Sequence, residues 1–118
     1  MLIQVGGLIM ANNIRLTVFP VKDIELAKSF YNAFFETAPY VDSPYYVGYK
    51  LDDLEIGLDP NGKVVVSYID VDNIEESLPS LKDAGAEVVM ASKEVGEGLR
   101  IAQIQIDGNV LGLREFRK

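Results

Sequence analysis

The segments VKDIELAKSF (21–30) and VDNIEESLPS (71–80) decide the fold, because they are two copies of one pattern. An offset of 50 residues aligns their opening valines, their isoleucines and the glutamates that follow. Asp23 and Asn73 stand where a helix N-cap is expected, and apolar residues then recur at helical spacing. The sequence therefore predicts two equivalent helices in a duplicated chain.

The residues around each helix predict strands. One strand-like run precedes each helix, IRLTVFPV (14–21) or VVVSYIDV (64–71), and about three runs follow it. The last runs contain the similar stretches EIGLD (55–59) and VLGLRE (110–115), each with a glycine between large aliphatic residues. Because about 50 residues cannot bury a sheet alone, we expect the halves to pair in an α+β fold of tandem βαβββ units. A ferredoxin-like fold, with at most two strands after each helix, is the main structural alternative.

Composition limits the partners. A chain of 118 residues is about one domain long, and its formal net charge of −7 argues against nucleic acid, whose phosphates are bound by Lys and Arg. The opening MLIQVGGLIM is too short to span a bilayer and lacks the flanks of a signal peptide. We therefore expect a cytoplasmic protein that binds neither nucleic acid nor a membrane. Residues 1–13 are expected to be an N-terminal extension, either outside the core or adding an edge strand.

The absence of two residue types limits the chemistry. The chain has no cysteine and no histidine, so it has no disulfide, no thiolate nucleophile and no histidine general base or metal ligand. Only a hard metal held by carboxylates would be compatible with this composition.

These features resemble the glyoxalase/bleomycin resistance protein/dioxygenase family, also called the vicinal oxygen chelate superfamily. The resemblance rests on the duplicated unit, on VKDIELAKSFY (21–31) and on IDGNVLGLRE (106–115), and it covers nearly the whole chain. It implies a U-shaped, partly closed barrel with the ligand in its cleft, usually completed as a homodimer. The implied single glyoxalase-like domain is residues 14–118, with units 14–60 and 64–116.

The resemblance also implies four metal-ligand positions, one on the first and one on the last strand of each unit. In this sequence they fall on Leu16, Gly57, Val66 and Gly112, none of which can ligate through a side chain. A register error of one residue does not build a site either. We therefore expect no metal and no other cofactor, and a roomier apolar floor at these positions.

Strand periodicity extends this surface to residues two positions away on the same strands. A carboxylate such as Glu55 would favour a cationic ligand. Tyr68 and a second tyrosine would stack against a planar ligand; the candidates for the second are Tyr45, Tyr46 and Tyr49. The expected ligand-binding residues are Leu16, Val18, Glu55, Gly57, Val66, Tyr68, Gly112 and Arg114.

Three functions from different classes follow. The first is a metal-free protein that binds a small organic ligand, cationic or aromatic, as drug-sequestering members of the family do. The second is a lyase- or dioxygenase-type enzyme that uses acid–base side chains or an atypical metal site. The third is a non-catalytic dimeric scaffold or regulatory module. The sequence identifies no catalytic residue.

Overall fold

This computed structural model describes residues 2–5 and 8–117 of the chain. These residues contain nine strands and two helices. The chain divides into two compact units. One runs from Arg15 to Val66 and is called the 15–66 unit; the other joins the described residues up to Ile14 with those from Ser67 and is called the 67–117 unit. The elements are β1 (Leu2–Val5), β2 (Leu8–Pro20), α1 (Ile24–Phe35), β3 (Val41–Ser43), β4 (Tyr46–Leu51), β5 (Leu54–Asp59), β6 (Val66–Val71), α2 (Ile74–Asp83), β7 (Glu87–Gly96), β8 (Leu99–Ile106) and β9 (Asn109–Phe116).

The 15–66 unit orders its strands β3-β4-β5-β2, with β2 and β5 parallel and the other pairs antiparallel. Helix α1 begins after Asp23, whose carboxylate accepts a hydrogen bond from the Leu26 amide at 3.0 Å. The core lies between α1 and one face of the sheet, where Phe19, Ile24, Ala27, Tyr31 and Phe35 pack against buried strand residues. Those strand residues are Val47, Tyr49, Ile56 and Leu58.

The 67–117 unit repeats this plan with strand order β6-β9-β8-β7 and a parallel β6–β9 pair. Asn73 caps α2 by accepting a hydrogen bond from the Glu76 amide at 3.0 Å. Pro79 lies inside the helix, and Gly85 follows its end with φ of +115°, a conformation that glycine adopts easily. The core comprises Val71, Ile74, Leu78, Ala102, Ile104 and Leu113.

The predicted α+β fold of tandem βαβββ units is confirmed. Helix α1 lies between β2 and the three strands β3, β4 and β5, and α2 lies between β6 and the three strands β7, β8 and β9, which excludes the ferredoxin-like alternative. Strand β2 begins earlier than the predicted run at residue 14, and β1 pairs antiparallel with its first part, Leu2 opposite Ala11 and Val5 opposite Leu8. Within the described residues, neither helix is long and apolar enough to cross a membrane.

Candidate functional site

The distal face of each unit, defined as the sheet face opposite its helix, carries the residues that the sequence singles out. Side chains alternate between the two faces along a strand. In the 15–66 unit the core residue Ile56 faces α1, so its neighbours Glu55 and Gly57 lie on the distal face. The parallel β2–β5 pairing sets Leu16 beside Glu55 and Val18 beside Gly57.

Two tyrosine rings lie over a pair of facing glycines on this distal face. Gly57 on β5 is opposite Gly48 on β4. A Cβ added to Gly57 would lie 2.6 Å from Tyr46 Cζ and closer still to its hydroxyl oxygen. A Cβ added to Gly48 would lie 3.2 Å from Tyr40 Cε1 and 3.3 Å from Tyr46 Cε2. The space that a side chain at position 57 would need is therefore filled by the phenol of Tyr46.

Charged groups flank these rings. The Tyr40 hydroxyl donates a hydrogen bond to a carboxylate oxygen of the half-buried Glu55. The ammonium of Lys50, which is opposite Glu55 across the β4–β5 pair, lies 4.6 Å from the centre of the Tyr40 ring. This distance is within the range of a cation–π contact, so the Tyr40 ring can accommodate a cation on its face.

On the distal face of the 67–117 unit, a tyrosine ring also fills the space beside a glycine. Here the ring comes from β6, the strand before the helix. Tyr68 on β6 is directly beside Gly112 on β9. A Cβ added to Gly112 would lie 2.6 Å from Tyr68 Cγ and closer still to Cδ2 and Cε2. Gln103, which faces Gly112 on the other side, donates a 2.8 Å hydrogen bond to the Tyr68 hydroxyl. Tyr68 is therefore held at both ends and is only 4% exposed.

A partly buried ion pair lies two residues further along the same strands. Arg114 Nε donates to Asp70 Oδ1 at 2.7 Å and Nη2 donates to Oδ2 at 3.2 Å, which is the two-point geometry of a strong guanidinium–carboxylate pair. The guanidinium carbon of Arg114 also lies 4.7 Å from the centre of the Phe116 ring. The positive charge of Arg114 is thus compensated within its own unit.

Two buried groups with shifted pKa values lie on the helix side of the sheets, away from the distal faces. Burial raises the pKa of the Tyr49 hydroxyl, which donates to Asn32 Oδ1 at 2.7 Å. Burial also pushes the pKa of Glu115 upward, but hydrogen bonds from the Ile74 amide and from Arg117 outweigh it, and the pKa is held below its ordinary value. Because the Ile74 amide opens α2, Glu115 is a second cap of that helix.

The sequence-based site residues divide between the two distal faces. By strand alternation, four lie on the distal face of the 15–66 unit and three on that of the 67–117 unit. Val66, the eighth, is the first residue of β6, where alternation puts it on the same side of the strand as Tyr68, and it is buried. The residues are Leu16, Val18, Glu55 and Gly57 in the first group and Tyr68, Gly112 and Arg114 in the second.

Sequence reasoning missed two contributors and left one choice open. Of the three tyrosines considered beside Tyr68, the ring over the glycine is that of Tyr46, whereas Tyr49 is fully buried in the core on the other face and Tyr45 is exposed. Tyr40 and Gln103 were not expected at all. The facing pair of glycines on β4 and β5 was the available signal, since two adjacent residues without side chains leave room for rings from neighbouring positions.

The residues at the four positions where the resemblance implies metal ligands do not fit a metal ion. Leu16, Gly57, Val66 and Gly112 offer no donor atom from a side chain. Within the part of the chain that the structure describes, Asp and Glu side chains form no cluster of three or more that could hold a metal. The expectation of a roomier floor at the glycines is wrong, because the rings of Tyr46 and Tyr68 occupy that room.

Comparison with known proteins supports the fold. No family model and no curated protein matches the sequence. Among solved structures, a glyoxalase/bleomycin resistance protein/dioxygenase superfamily member from Vibrio splendidus 12B01 matches with a TM-score of 0.67 and 19% identity, over 87% of this chain and 99% of that one. Methylmalonyl-CoA epimerase from Mycobacterium tuberculosis matches with a TM-score of 0.69 and 11% identity, over 89% of this chain and 88% of that one.

The chain therefore has the fold of the glyoxalase/bleomycin resistance protein/dioxygenase superfamily, as its motifs predicted. A structure described as an NAD-dependent benzaldehyde dehydrogenase from Legionella pneumophila also matches, with a TM-score of 0.70 and 17% identity, over 86% of this chain and 98% of that one. The different activities in these descriptions show that the shared fold does not select a reaction.

Proposed function

We propose that the chain is a metal-free, glyoxalase/bleomycin-resistance-like protein that binds a small organic ligand on its distal faces. The observation that carries this proposal is the pair of tyrosine rings, Tyr46 over Gly57 and Tyr68 over Gly112, at positions where the resemblance implies metal ligands. The half-buried phenol of Tyr46 offers an aromatic plane and a hydroxyl, which recognise an organic molecule rather than a metal. The proposed site residues are the eight named above, together with Tyr40, Tyr46 and Gln103.

The chemistry of the faces favours a planar or cationic ligand. The Tyr40 ring already contacts one ammonium, that of Lys50, and the formal net charge of −7 attracts cations to the protein in general. Glu55 and Asp59 add carboxylates to the same distal face of the 15–66 unit. A ligand with a positively charged nitrogen on an aromatic or aliphatic frame matches this combination of rings and carboxylates. The proposal includes a cytoplasmic location and a homodimer.

A thermal-shift screen tests the proposal. The purified chain is mixed with planar cations, neutral aromatic compounds and aliphatic anions, and the first two groups are expected to raise the melting temperature. Glu55→Gln and Tyr46→Ala should remove the shift for cationic hits, whereas Tyr45→Ala, a change of the same residue type at an exposed turn, should leave it intact. Metal analysis of protein purified without chelator is expected to find no stoichiometric transition metal. A bound metal at one per chain would refute the metal-free proposal, and a screen without hits would favour a scaffold.

An acid–base enzyme is the second candidate, and one contact favours it. The hydrogen bond between the Tyr40 hydroxyl and Glu55 places an acid and a base in direct contact on the distal face. Any ligand found in the screen can be incubated with the protein in D2O and examined by mass spectrometry. Deuterium incorporation that Glu55→Gln abolishes would support proton transfer at this face. Binding without exchange or turnover would support the ligand-binding proposal.

A further inference from the structure

The ammonium of Lys50 lies where a cationic ligand would contact the Tyr40 ring. It is 4.6 Å from the centre of that ring, on the distal face of the 15–66 unit. The strand pairing puts Lys50 directly opposite Glu55, and the carboxylate of Glu55 accepts a hydrogen bond from the Tyr40 hydroxyl. The ring, the carboxylate and the ammonium therefore form one set of contacts, in which the protein itself supplies the cation.

The equivalent place in the other unit has no charged pair. An offset of 55 residues aligns the stretches EIGLD and VLGLRE, so that Val110 takes the place of Glu55. The same offset puts Gln105 in the place of Lys50, and Gln105 faces Val110 across β8 and β9. The βαβββ unit therefore does not need a lysine and a glutamate at this place in order to fold.

The contact between Lys50 and the Tyr40 ring is weak enough to exchange. Lys50 is exposed, and Tyr40 is 49% exposed, so solvent reaches both groups. A cation–π contact at an exposed site favours the bound state about two- to fivefold over the free one. The face of the ring is therefore vacant in about one third to one sixth of the molecules.

The kind of cation decides whether a ligand replaces Lys50. Because Lys50 is tethered beside the ring, its ammonium has an effective concentration in the millimolar range. A free primary ammonium, which has the same head group, does not compete well against it. The primary ammonium is also strongly hydrated, whereas a quaternary ammonium loses less hydration on an aromatic face and is recognised in this way by aromatic side chains.

We propose that the ligand of this distal face carries a quaternary ammonium head group, and that Lys50 is an internal competitor which the head group displaces from the Tyr40 ring. This inference rests on the proposed ligand-binding function, to which it adds the head group and a residue that sets its affinity. Lys50→Thr removes the competitor and should raise the affinity about threefold to sixfold. Lys50→Arg should lower it severalfold, because a guanidinium stacks on an aromatic ring more favourably than an ammonium does.

NMR spectroscopy of the Lys50 side chain tests the displacement with three related compounds. Choline carries the quaternary ammonium, 2-aminoethanol carries a primary ammonium, and 3,3-dimethyl-1-butanol has the shape of choline without its charge. Protons above an aromatic plane resonate upfield, so the Lys50 ε-methylene signal should lie upfield of those of other lysines, and Tyr40→Leu should remove this shift. Choline should move the signal back, and the other two compounds should act at least tenfold more weakly.

Titration of the variants with choline measures the competition. Lys93→Thr is the matched control for Lys50→Thr, because it removes the same charge from an exposed strand position in the other unit, and it should leave the affinity within about twofold of wild type. Lys50→Arg separates displacement from simple repulsion, since it keeps the charge and repulsion alone predicts no change. Circular dichroism checks that each variant folds.

Equal choline affinity in wild type and Lys50→Thr, or a Lys50 signal that choline does not move, overturns the inference. Equal binding of 2-aminoethanol and choline overturns the choice of head group. In either case a neutral aromatic compound that binds in the thermal-shift screen leaves the ligand-binding proposal intact. If no compound binds either wild type or Lys50→Thr, the inference and the proposed function both fail.

Discussion

Substitution of Gly112 by alanine should destabilise the protein strongly, because the added methyl group meets a ring that cannot move aside. The new Cβ would lie 2.6 Å from Tyr68 Cγ. That atom is next to the backbone, so rotation of the ring does not clear it. Forcing an extra carbon into such a site costs about 1–3 kcal/mol, and this site belongs at the upper end. We expect Gly112→Ala to lose about 3 kcal/mol of unfolding free energy.

Gly57→Ala provides a graded comparison. Its new Cβ meets the hydroxyl and Cζ of Tyr46, the far end of a half-buried side chain. A small rotation can move that end, so we expect a cost of about 1 kcal/mol. Gly96→Ala is the control, since its nearest neighbour, Leu99 Cβ, would be 3.9 Å away. It should change the unfolding free energy by less than about 0.5 kcal/mol.

Urea unfolding followed by circular dichroism measures all three variants, and a double-mutant cycle isolates the clash. Tyr68→Val removes the ring and should itself cost about 3 kcal/mol. If the ring causes the effect of Gly112→Ala, the double variant should be little less stable than Tyr68→Val alone, with a coupling energy of about 2–3 kcal/mol. Additive effects, or a Gly112→Ala variant as stable as Gly96→Ala, would refute the reasoning.

Three further predictions concern the helices. Tyr49→Phe leaves Asn32 without its buried donor and should cost about 1–2 kcal/mol at neutral pH; because burial raises the pKa of Tyr49, its contribution is present below pH of about 10 and is lost as pH rises. Urea unfolding at neutral pH should show that wild type is more stable than the variant, and the two unfolding free energies should converge as the pH rises. A difference in unfolding free energy that stays constant with pH would contradict this. Glu115→Gln should make the unfolding free energy less sensitive to acid. A carboxylate with a lowered pKa stabilises the fold above its unfolded pKa and loses that contribution as pH falls through the folded value. If the dependence of stability on pH from about pH 5 to pH 3 is the same in the variant, Glu115 does not have this role. Pro79→Ala should raise stability by about 1–3 kcal/mol, because alanine supplies the helical N–H that proline lacks at this exposed position. The melting temperature measures this change. If it does not rise, the helix has already adapted to proline.

The sequence predicted the architecture well because the architecture depends on local signals. The N-caps Asp23 and Asn73, the helical spacing of apolar residues and the alternation in the strands each act over a few residues, and the structure contains both caps. The offset between the two halves then linked these local elements into a repeat. Strand alternation also puts Glu55 and Gly57 on one face of β5.

The contents of the distal faces could not be predicted from the same signals. A strand pattern places Tyr46 and Tyr68 on a face, but the direction in which their rings lean depends on the neighbouring strands. Glycine at positions 57 and 112 predicted a gap, whereas the tertiary structure fills it with rings from β4 and β6. The helical pattern likewise included Phe30 among the apolar positions of α1 but did not show that it is exposed.

The two glycine–tyrosine pairs also restrict how this chain can change. A carboxylate side chain at position 112 would clash with the Tyr68 ring. If Tyr68 is truncated first, a cavity is left beside Gly112. Either single substitution therefore destabilises the protein. The same holds, less severely, for Gly57 and Tyr46. A mutational route from this sequence to carboxylates at positions 57 and 112 therefore requires paired substitutions in both units. The rings thus restrict which side chains these two positions can accept.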